Sequence, residues 1–120
     1  MKFLNRESLL AKEDLEIIEV DLGKGEGVYV RQMTGYERDL WERSIVEVDA
    51  KGNVERKADD FRAKLAVCTV CDKEGKLVFK VIDSKALSRS MSAARLEKIV
   101  EVAQRLNKIT EEDKDELVKN

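Results

Sequence analysis

The stretch Val28-Tyr29-Val30-Arg31-Gln32-Met33-Thr34-Gly35-Tyr36-Glu37-Arg38-Asp39-Leu40-Trp41 changes its character in the middle. Val28-Tyr29-Val30-Arg31 has the β-branched and aromatic content of a short strand. From Tyr36 onward, at ~100° per residue, Tyr36, Leu40, Trp41, Ile45 and Val48 fall within one half of a helix circumference. Thr34-Gly35-Tyr36-Glu37 lies between them and reads as a capping box. The threonine hydroxyl accepts from the amide three residues on, and the glutamate reaches back to the threonine amide. A strand that hands over to a helix within a few residues implies an α+β chain, and the helix is predicted to run to about Val48.

Toward the N-terminus, Ile18, Val20 and Leu22 alternate with Glu19 and Asp21, the period of a half-buried strand. Gly23-Lys24-Gly25-Glu26-Gly27 then turns the chain into Val28, which makes a β-hairpin. Before it, Asn5 is placed to cap a short helix over Glu7–Lys12, with Leu9 and Leu10 as its apolar contacts.

Toward the C-terminus, Asp49–Lys57, with Gly52-Asn53, reads as a charged, mobile connection. Ala58–Cys71 is predicted as the next helix, central because Leu65–Cys71 is apolar nearly all round. Asp72-Lys73-Glu74-Gly75-Lys76 is a turn into a short strand, Leu77-Val78-Phe79, and Ser84–Ser90 a short helix holding Leu87. Ser92–Lys108 carries the strongest helical signal, with Leu96, Ile99, Val100, Ala103 and Leu106 in one stripe and Glu97, Lys98, Glu101 and Arg105 opposite. Thr110 caps a last charged stretch, Glu111–Lys119, whose large apolar residues are Leu117 and Val118.

The expected architecture is a single, mostly α-helical α+β domain over residues 1–120, with an N-terminal hairpin and one short extra strand packed on about four helices. Helix and hairpin occupy residues 1–33, a helical core 34–110 and a mobile tail 111–120.

Composition excludes more than it proposes. With 23 Lys+Arg against 25 Asp+Glu there is no basic surplus to neutralise phosphates, so a nucleic-acid partner is not expected. No apolar run approaches the ~18–20 residues that span a bilayer, and Met1-Lys2-Phe3-Leu4-Asn5-Arg6-Glu7 lacks a signal peptide's apolar stretch. No membrane partner and a cytoplasmic location are therefore expected. The chain has no histidine, the side chain best suited to acid–base work and zinc binding near neutral pH, and no proline to break its helices.

Each candidate motif has a plainer reading. Cys68-Thr69-Val70-Cys71 is a C-x-x-C, yet zinc needs two more Cys or His ligands that the chain does not have. A redox pair belongs at a helix N-terminus, where the dipole lowers the thiol pKa, and this pair falls at a C-terminal end. A packing role is favoured. Gly23–Gly27 lacks the spacing of a phosphate loop and precedes a strand. Counted from Asp72, a calcium loop would place Lys76 at its fifth position, so it fails as well. Ser88, Ser90 and Ser92 have no histidine to activate them, and a pairing with Lys85 has no support. Trp41 is assigned to the core rather than to a contact surface. No catalytic, cofactor-binding or metal-ligating residue is assigned, and action by binding is the expected mode.

Four stretches, taken in order, resemble the small tail assembly chaperones of long-tailed bacteriophages and prophages, in particular those of Gram-positive hosts. They are Phe3-Leu4-Asn5-Arg6-Glu7 leading to Glu13-Asp14, and the strand, Thr-Gly and Glu-Arg-Asp run from Val28 to Asp39. The third is Phe61-Arg62-Ala63-Lys64-Leu65 with Cys71–Gly75 and Leu77-Val78-Phe79, and the fourth Ala94–Leu106 with Ile109–Asp113. Met33 stands where leucine is usual, and Asn107-Lys108 where Ser-Gly or Asn-Gly is common.

The resemblance implies a non-catalytic protein that binds the long tape measure protein and keeps it soluble while tail tube subunits assemble. It would act in the cytoplasm of the infected or lysogenic host, be absent from the mature virion, and need no cofactor. Many relatives also have a longer, frameshifted form that contacts the tail tube protein, and some form homo-oligomers. The alternatives are a structural tail or connector component retained in the virion and a thiol- or metal-dependent protein. The partner-binding residues expected are Asp49, Lys51, Asn53 and Glu55 in the charged connection, and Glu111, Glu112, Leu117 and Val118 in the tail.

Overall fold

The computed structural model describes residues 1–56 and 59–109. Its elements run α1 (Arg6–Leu10), β1 (Ile17–Gly23), β2 (Glu26–Arg31), α2 (Gly35–Ser44), β3 (Val46–Val48), β4 (Val54–Arg56), α3 (Phe61–Val67), β5 (Val70–Cys71), α4 (Ser84–Ser90) and α5 (Ala93–Leu106). A 3-10 turn, Val81–Asp83, leads into α4. The strands form a three-stranded antiparallel sheet, β1-β2-β5, and a separate two-stranded sheet, β3-β4. This is the α+β class read from the sequence.

The register of the larger sheet follows from its alternation. Ile18 stands opposite Val30, Val20 opposite Val28, and Val30 opposite Val70, so these side chains share one face. On that face lies α5, burying Leu96, Ile99, Val100 and Ala103, with α3 beside it burying Ala63, Leu65 and Ala66. From α2 and its C-cap, Trp41 and Ile45 close the core, and the Trp41 ring meets Phe61 edge-on at 5.8 Å. Fully burying side chains of this size contributes ~1.5–3 kcal/mol each.

Polar ties lock the hairpin to α5 at both ends. Arg95, in the first turn of α5, donates to the carbonyls of Leu22 (3.1 Å) and Gly23 (3.4 Å) and pairs with Glu26 at the hairpin tip. At the other end Asn107 accepts the Met33 amide at 2.7 Å and donates to the Ala103 carbonyl at 2.8 Å. Arg38 of α2 reaches the Asn107 carbonyl at 3.0 Å. Lys108 follows with φ +52, the left-handed conformation that glycine adopts most easily after a helix.

Several predicted elements are redrawn. The helix that begins at the capping box ends at Ser44, not near Val48. There the Ser44 hydroxyl bonds the Trp41 carbonyl at 2.6 Å, and the β-branched Val46 and Val48 continue as β3. The mobile connection is instead the turn and second strand of a hairpin through Arg56; Lys57 and Ala58 lie outside the described residues. The central helix stops at Val67. Its successor Thr69 donates its hydroxyl to the Leu65 carbonyl (2.8 Å) and gives its own carbonyl to the Arg31 amide (2.9 Å), so the chain re-enters the sheet as β5. The extra strand is therefore Val70–Cys71. Leu77 makes a single bridge to Cys71, and the Val78 amide a single bond to Val70. By contrast, α4 spans the residues predicted and buries Leu87, and α5 begins on its Ser92 cap.

One turn chemistry produces both added hairpins. In Asp49-Ala50-Lys51-Gly52-Asn53 the Asp49 Oδ1 accepts the amides of Lys51 and Asn53, both at 2.9 Å, while the main chain closes Gly52 to Asp49 and Asp49 to Asn53. In Asp72-Lys73-Glu74-Gly75-Lys76 the same bonds recur, with Asp72 Oδ1 accepting Glu74 and Lys76 at 2.9 Å. Gly52 and Gly75 supply the positive φ that each turn requires. The second turn folds over the outer face of the sheet, where a Cβ on Gly75 would stand 3.2 Å from Ile17.

Candidate interaction surface

The surface offers three features, and the first is the β3-β4 hairpin. Val48 and Val54 are direct cross-strand partners on one face, 62% and 42% exposed. On the other face Glu47 stands opposite Glu55, a like-charge pair that weakens the hairpin. Of the predicted partner-binding residues, Asp49, Lys51 and Asn53 come together in its turn and Glu55 lies on β4, all exposed. Asp49 is held below its ordinary carboxylate pKa, chiefly by the Asn53 amide, with the Lys51 amide and the Asn53 side chain adding to it. Glu111, Glu112, Leu117 and Val118 lie outside the described residues. A groove of about 650 Å³ lined by Tyr36, Asp39, Glu42, Arg43 and Val46 runs between α2 and β3. Tyr36, expected on the apolar side of α2, is 71% exposed.

The second feature is the outer face of the larger sheet. Toward the hairpin tip, Glu19, Asp21, Glu26 and Tyr29 edge a groove of about 510 Å³. Its floor is close-packed: a Cβ on Gly27 would lie 2.8 Å from the Val20 carbonyl oxygen. Toward the base, the Asp72 turn and α2 cover Arg31 and Cys71. Arg31 makes two 2.8 Å bonds to the Glu37 carboxylate and a third, also 2.8 Å, to the Gln32 carbonyl. Glu37 is at once the capping-box residue whose Oε1 accepts the Thr34 amide at 2.9 Å. Burial pushes the Glu37 pKa up, but Arg31 and Thr34 outweigh it and hold the carboxyl below its ordinary value.

Both thiols are free and buried. Burial, with the Glu37 charge, pushes the Cys68 pKa up to about 11, and Cys71 is also raised, chiefly by burial. Such thiols are poor nucleophiles, which agrees with a packing role. Among the described residues no group of three or more Cys, Asp or Glu is placed to hold a metal ion. No described helix is long and apolar enough to cross a membrane.

The third feature is the N-terminal arm, which sequence reasoning missed. Every residue from Met1 to Asp14 is exposed. Leu9 and Leu10, read as the apolar contacts of α1, are 66% and 70% exposed, and Phe3 is 85% exposed. The helix is shorter than expected, Arg6–Leu10, and buries nothing. The missed signal was length: the chain leaves α1 at Ala11, whose backbone is extended, before the helix gains a second apolar turn to dock.

Comparison with known proteins gives one structural likeness to report. The chain is similar to the tail assembly chaperone of bacteriophage HK97, with a TM-score of 0.51 and 18% sequence identity over 78% of this chain and 84% of that one. At that identity the likeness is one of fold. No family model matches the chain, and no curated protein matches it in sequence.

Proposed function

We propose that this protein is a phage tail assembly chaperone. On this reading it binds the tape measure protein, keeps it soluble while the tail tube polymerises, and performs no chemistry. The observation that carries the reading is the fold shared with the HK97 tail assembly chaperone over 78% of the chain. The order of the four resembling stretches supports it independently.

The surface suits a holdase. A client-binding protein needs exposed apolar groups on a body that stays soluble. Here Phe3, Leu9, Leu10, Val48 and Val54 are exposed on a chain with 40% charged residues. On this reading the chain acts as one chaperone domain, in which the N-terminal helix and hairpin of residues 1–33 join a body of helices and short strands. The site of action is the bacterial host cytoplasm, with the tail tube protein as a further partner through any longer form.

The test is co-expression with the tape measure protein of the same tail gene cluster. The expected result is a larger soluble fraction of the tape measure protein and its co-purification with the chain. If tape measure fragments neither bind nor gain solubility, the proposal falls. Mass spectrometry of purified particles separates the structural alternative, since stoichiometric retention in virions would favour a tail component.

A further inference from the structure

We infer that the open edge of β1 is a docking site for an extended segment of another protein, one in which apolar and basic residues alternate. The segment adds to the larger sheet as a further strand beside β1. This goes beyond the chaperone reading, which assigns no use to the sheet edge.

Among the described residues only β2 pairs with β1, so β1 is an edge strand. The register fixes which of its main-chain groups are taken. The Gln32 amide bonds the Glu16 carbonyl at 3.0 Å, and bonding residues alternate along an antiparallel strand. Ile18 and Val20 therefore turn their main-chain groups toward β2, whereas Ile17, Glu19 and Asp21 turn theirs away. The far side of β2 follows the same alternation, since the Arg31 amide, opposite Ile17, bonds the Thr69 carbonyl at 2.9 Å. The amides and carbonyls of Ile17, Glu19 and Asp21 thus line an edge that can template another strand. Edges closed to partners are commonly short, bulged or broken by proline. β1 has seven residues and no proline, and its one irregularity lies at its end, between Asp21 and Gly23.

Charge selects what is added. Between Lys12 and Lys24 the chain carries Glu13, Asp14, Glu16, Glu19 and Asp21 and no cation. All five are exposed, and none forms an ion pair among the described residues. Glu13 shares a groove with Arg38 and Lys108 at the base, so the uncompensated charge is that of Glu16, Glu19 and Asp21, along the edge itself. The outer-face groove of about 510 Å³ beside them is lined by Glu19, Asp21, Glu26 and Tyr29 and by no Lys or Arg. Arg95, the cation that reaches the hairpin tip, is already bonded to Glu26 and to the Leu22 and Gly23 carbonyls. A strand laid along β1 sets every second side chain beside Glu19 and Asp21, where Lys or Arg is favoured. The others stand beside the inward row of Ile18, Val20 and Leu22, where apolar groups are.

The same charge turns away two other occupants. In an antiparallel pair of β1 strands centred on Glu19 or Val20, Glu19 would face the Glu19 or the Asp21 of a second copy. Residues 111–120 carry Glu111, Glu112, Asp113, Asp115 and Glu116 against Lys114 and Lys119, so the chain's own C-terminus is repelled as well.

The experiment uses fluorescent designed peptides of about nine residues, the length of a long strand. One alternates Val with Lys and one Val with Glu, and two copies of the first are N-methylated at alternate residues, on one edge or the other. They are titrated with the full chain and with the variants Glu19→Gln/Asp21→Asn and Glu19→Pro/Asp21→Asn. The full chain is expected to bind the Val/Lys peptide at least about tenfold more tightly than the Val/Glu one, and less tightly as salt rises. The Gln/Asn variant should lose most of that preference. The Pro variant removes an edge amide that bonds nothing in the fold, and should bind more weakly still. At least one methylated copy should lose about tenfold or more, because a methylated amide cannot donate to a strand. Binding should slow hydrogen exchange at the Ile17, Glu19 and Asp21 amides and leave Val54 unchanged.

Binding of both methylated copies as tight as the parent's shows charge attraction alone and overturns the inference, whether or not the Pro variant folds. No preference between the Val/Lys and Val/Glu peptides overturns it too, as does protection of Val54 in place of the β1 amides. Self-association of the full chain that the Val/Lys peptide does not compete would give the edge to a second copy, with the same result. The co-expression assay is separate. A chain that solubilises the tape measure protein but binds no peptide leaves the chaperone standing without this edge, and the reverse leaves the edge standing without the chaperone.

Discussion

Replacing Glu37 with alanine should be among the most damaging single changes to this fold. Glu37 serves two structures at once: it closes the capping box of α2 through the Thr34 amide and holds both terminal nitrogens of Arg31. The Arg31 and Glu37 side chains are only 7% and 18% exposed, so solvent screens the pair little. Nor has Arg31 a spare arrangement, because its Nε finds no partner among the described residues. Removing one member of a buried pair costs about 3–5 kcal/mol, mainly through the charge left behind. In a domain of this size Tm moves by about 4 °C per kcal/mol, so the expected drop is about 12–20 °C.

Thermal unfolding followed by circular dichroism measures this directly, with Arg31→Met and the double variant Arg31→Met/Glu37→Ala alongside. The double variant removes the stranded charge and should lose less than the sum of the two single losses. The pair also has a pH signature. A carboxyl whose folded pKa is depressed adds stability in full above its unfolded value and loses it as pH falls through the folded one. The stability gap between the wild type and Glu37→Gln should therefore hold steady from neutrality down to about pH 5 and close below about pH 4. A Glu37→Ala drop under about 4 °C, or strictly additive losses in the double variant, would refute the argument.

Lys108→Gly should stabilise the chain by up to about 1 kcal/mol, because the residue sits at φ +52 after α5; a lower Tm would count against that strain. The native thiols should react slowly with a disulfide reagent at pH 8 and promptly once denaturant is added, since the Cys68 pKa is raised to about 11. Rapid, stoichiometric labelling of the folded protein would contradict the burial. Asp72→Ala should lower Tm, because its turn packs against Ile17 over the outer face of the sheet. Asp49→Ala should leave Tm nearly unchanged and speed amide exchange in β3 and β4 only, and equal effects from both would show that the two turns are not separated as described.

The elements legible in the sequence were those fixed by their own residues. Thr34 and Glu37 form the capping box because both partners lie within one turn, and Val20 and Leu22 face inward because a strand's alternation is local. The stripe of α5 is long enough for its period to be unmistakable. Illegible were contacts that depend on distant residues, such as the Arg31–Glu37 pair's cover and the clamp from Arg95 to Leu22. For the candidate surface, charge and glycine content picked out the β3-β4 turn, whereas the exposure of Leu9 and Leu10 had no local sign. Apolar residues in a short helix look alike whether the fold covers them or a partner does.

The two misplaced helix ends share one physical cause. Periodicity needs several turns to declare itself, and β3 and β5 are three and two residues long. At that length Val46-Glu47-Val48 continues the helical stripe of α2 as well as it alternates, and Thr69-Val70-Cys71 prolongs an apolar helix as well as it pairs with β2. Just downstream of each lies the same device: an aspartate, two residues, a glycine. Asp49 and Asp72 each bind the amides of the second and fourth residues that follow, and a glycine at positive φ completes the reversal. At Asp49 the returning segment is β4, which pairs with the arriving residues over their whole length, so the turn and β3 belong together. At Asp72 the returning Leu77 makes a single bridge, and β5 is held instead by β2, with Val30 opposite Val70 and the Arg31 amide on the Thr69 carbonyl. That is a pairing with residues about forty positions away, which no local pattern announces.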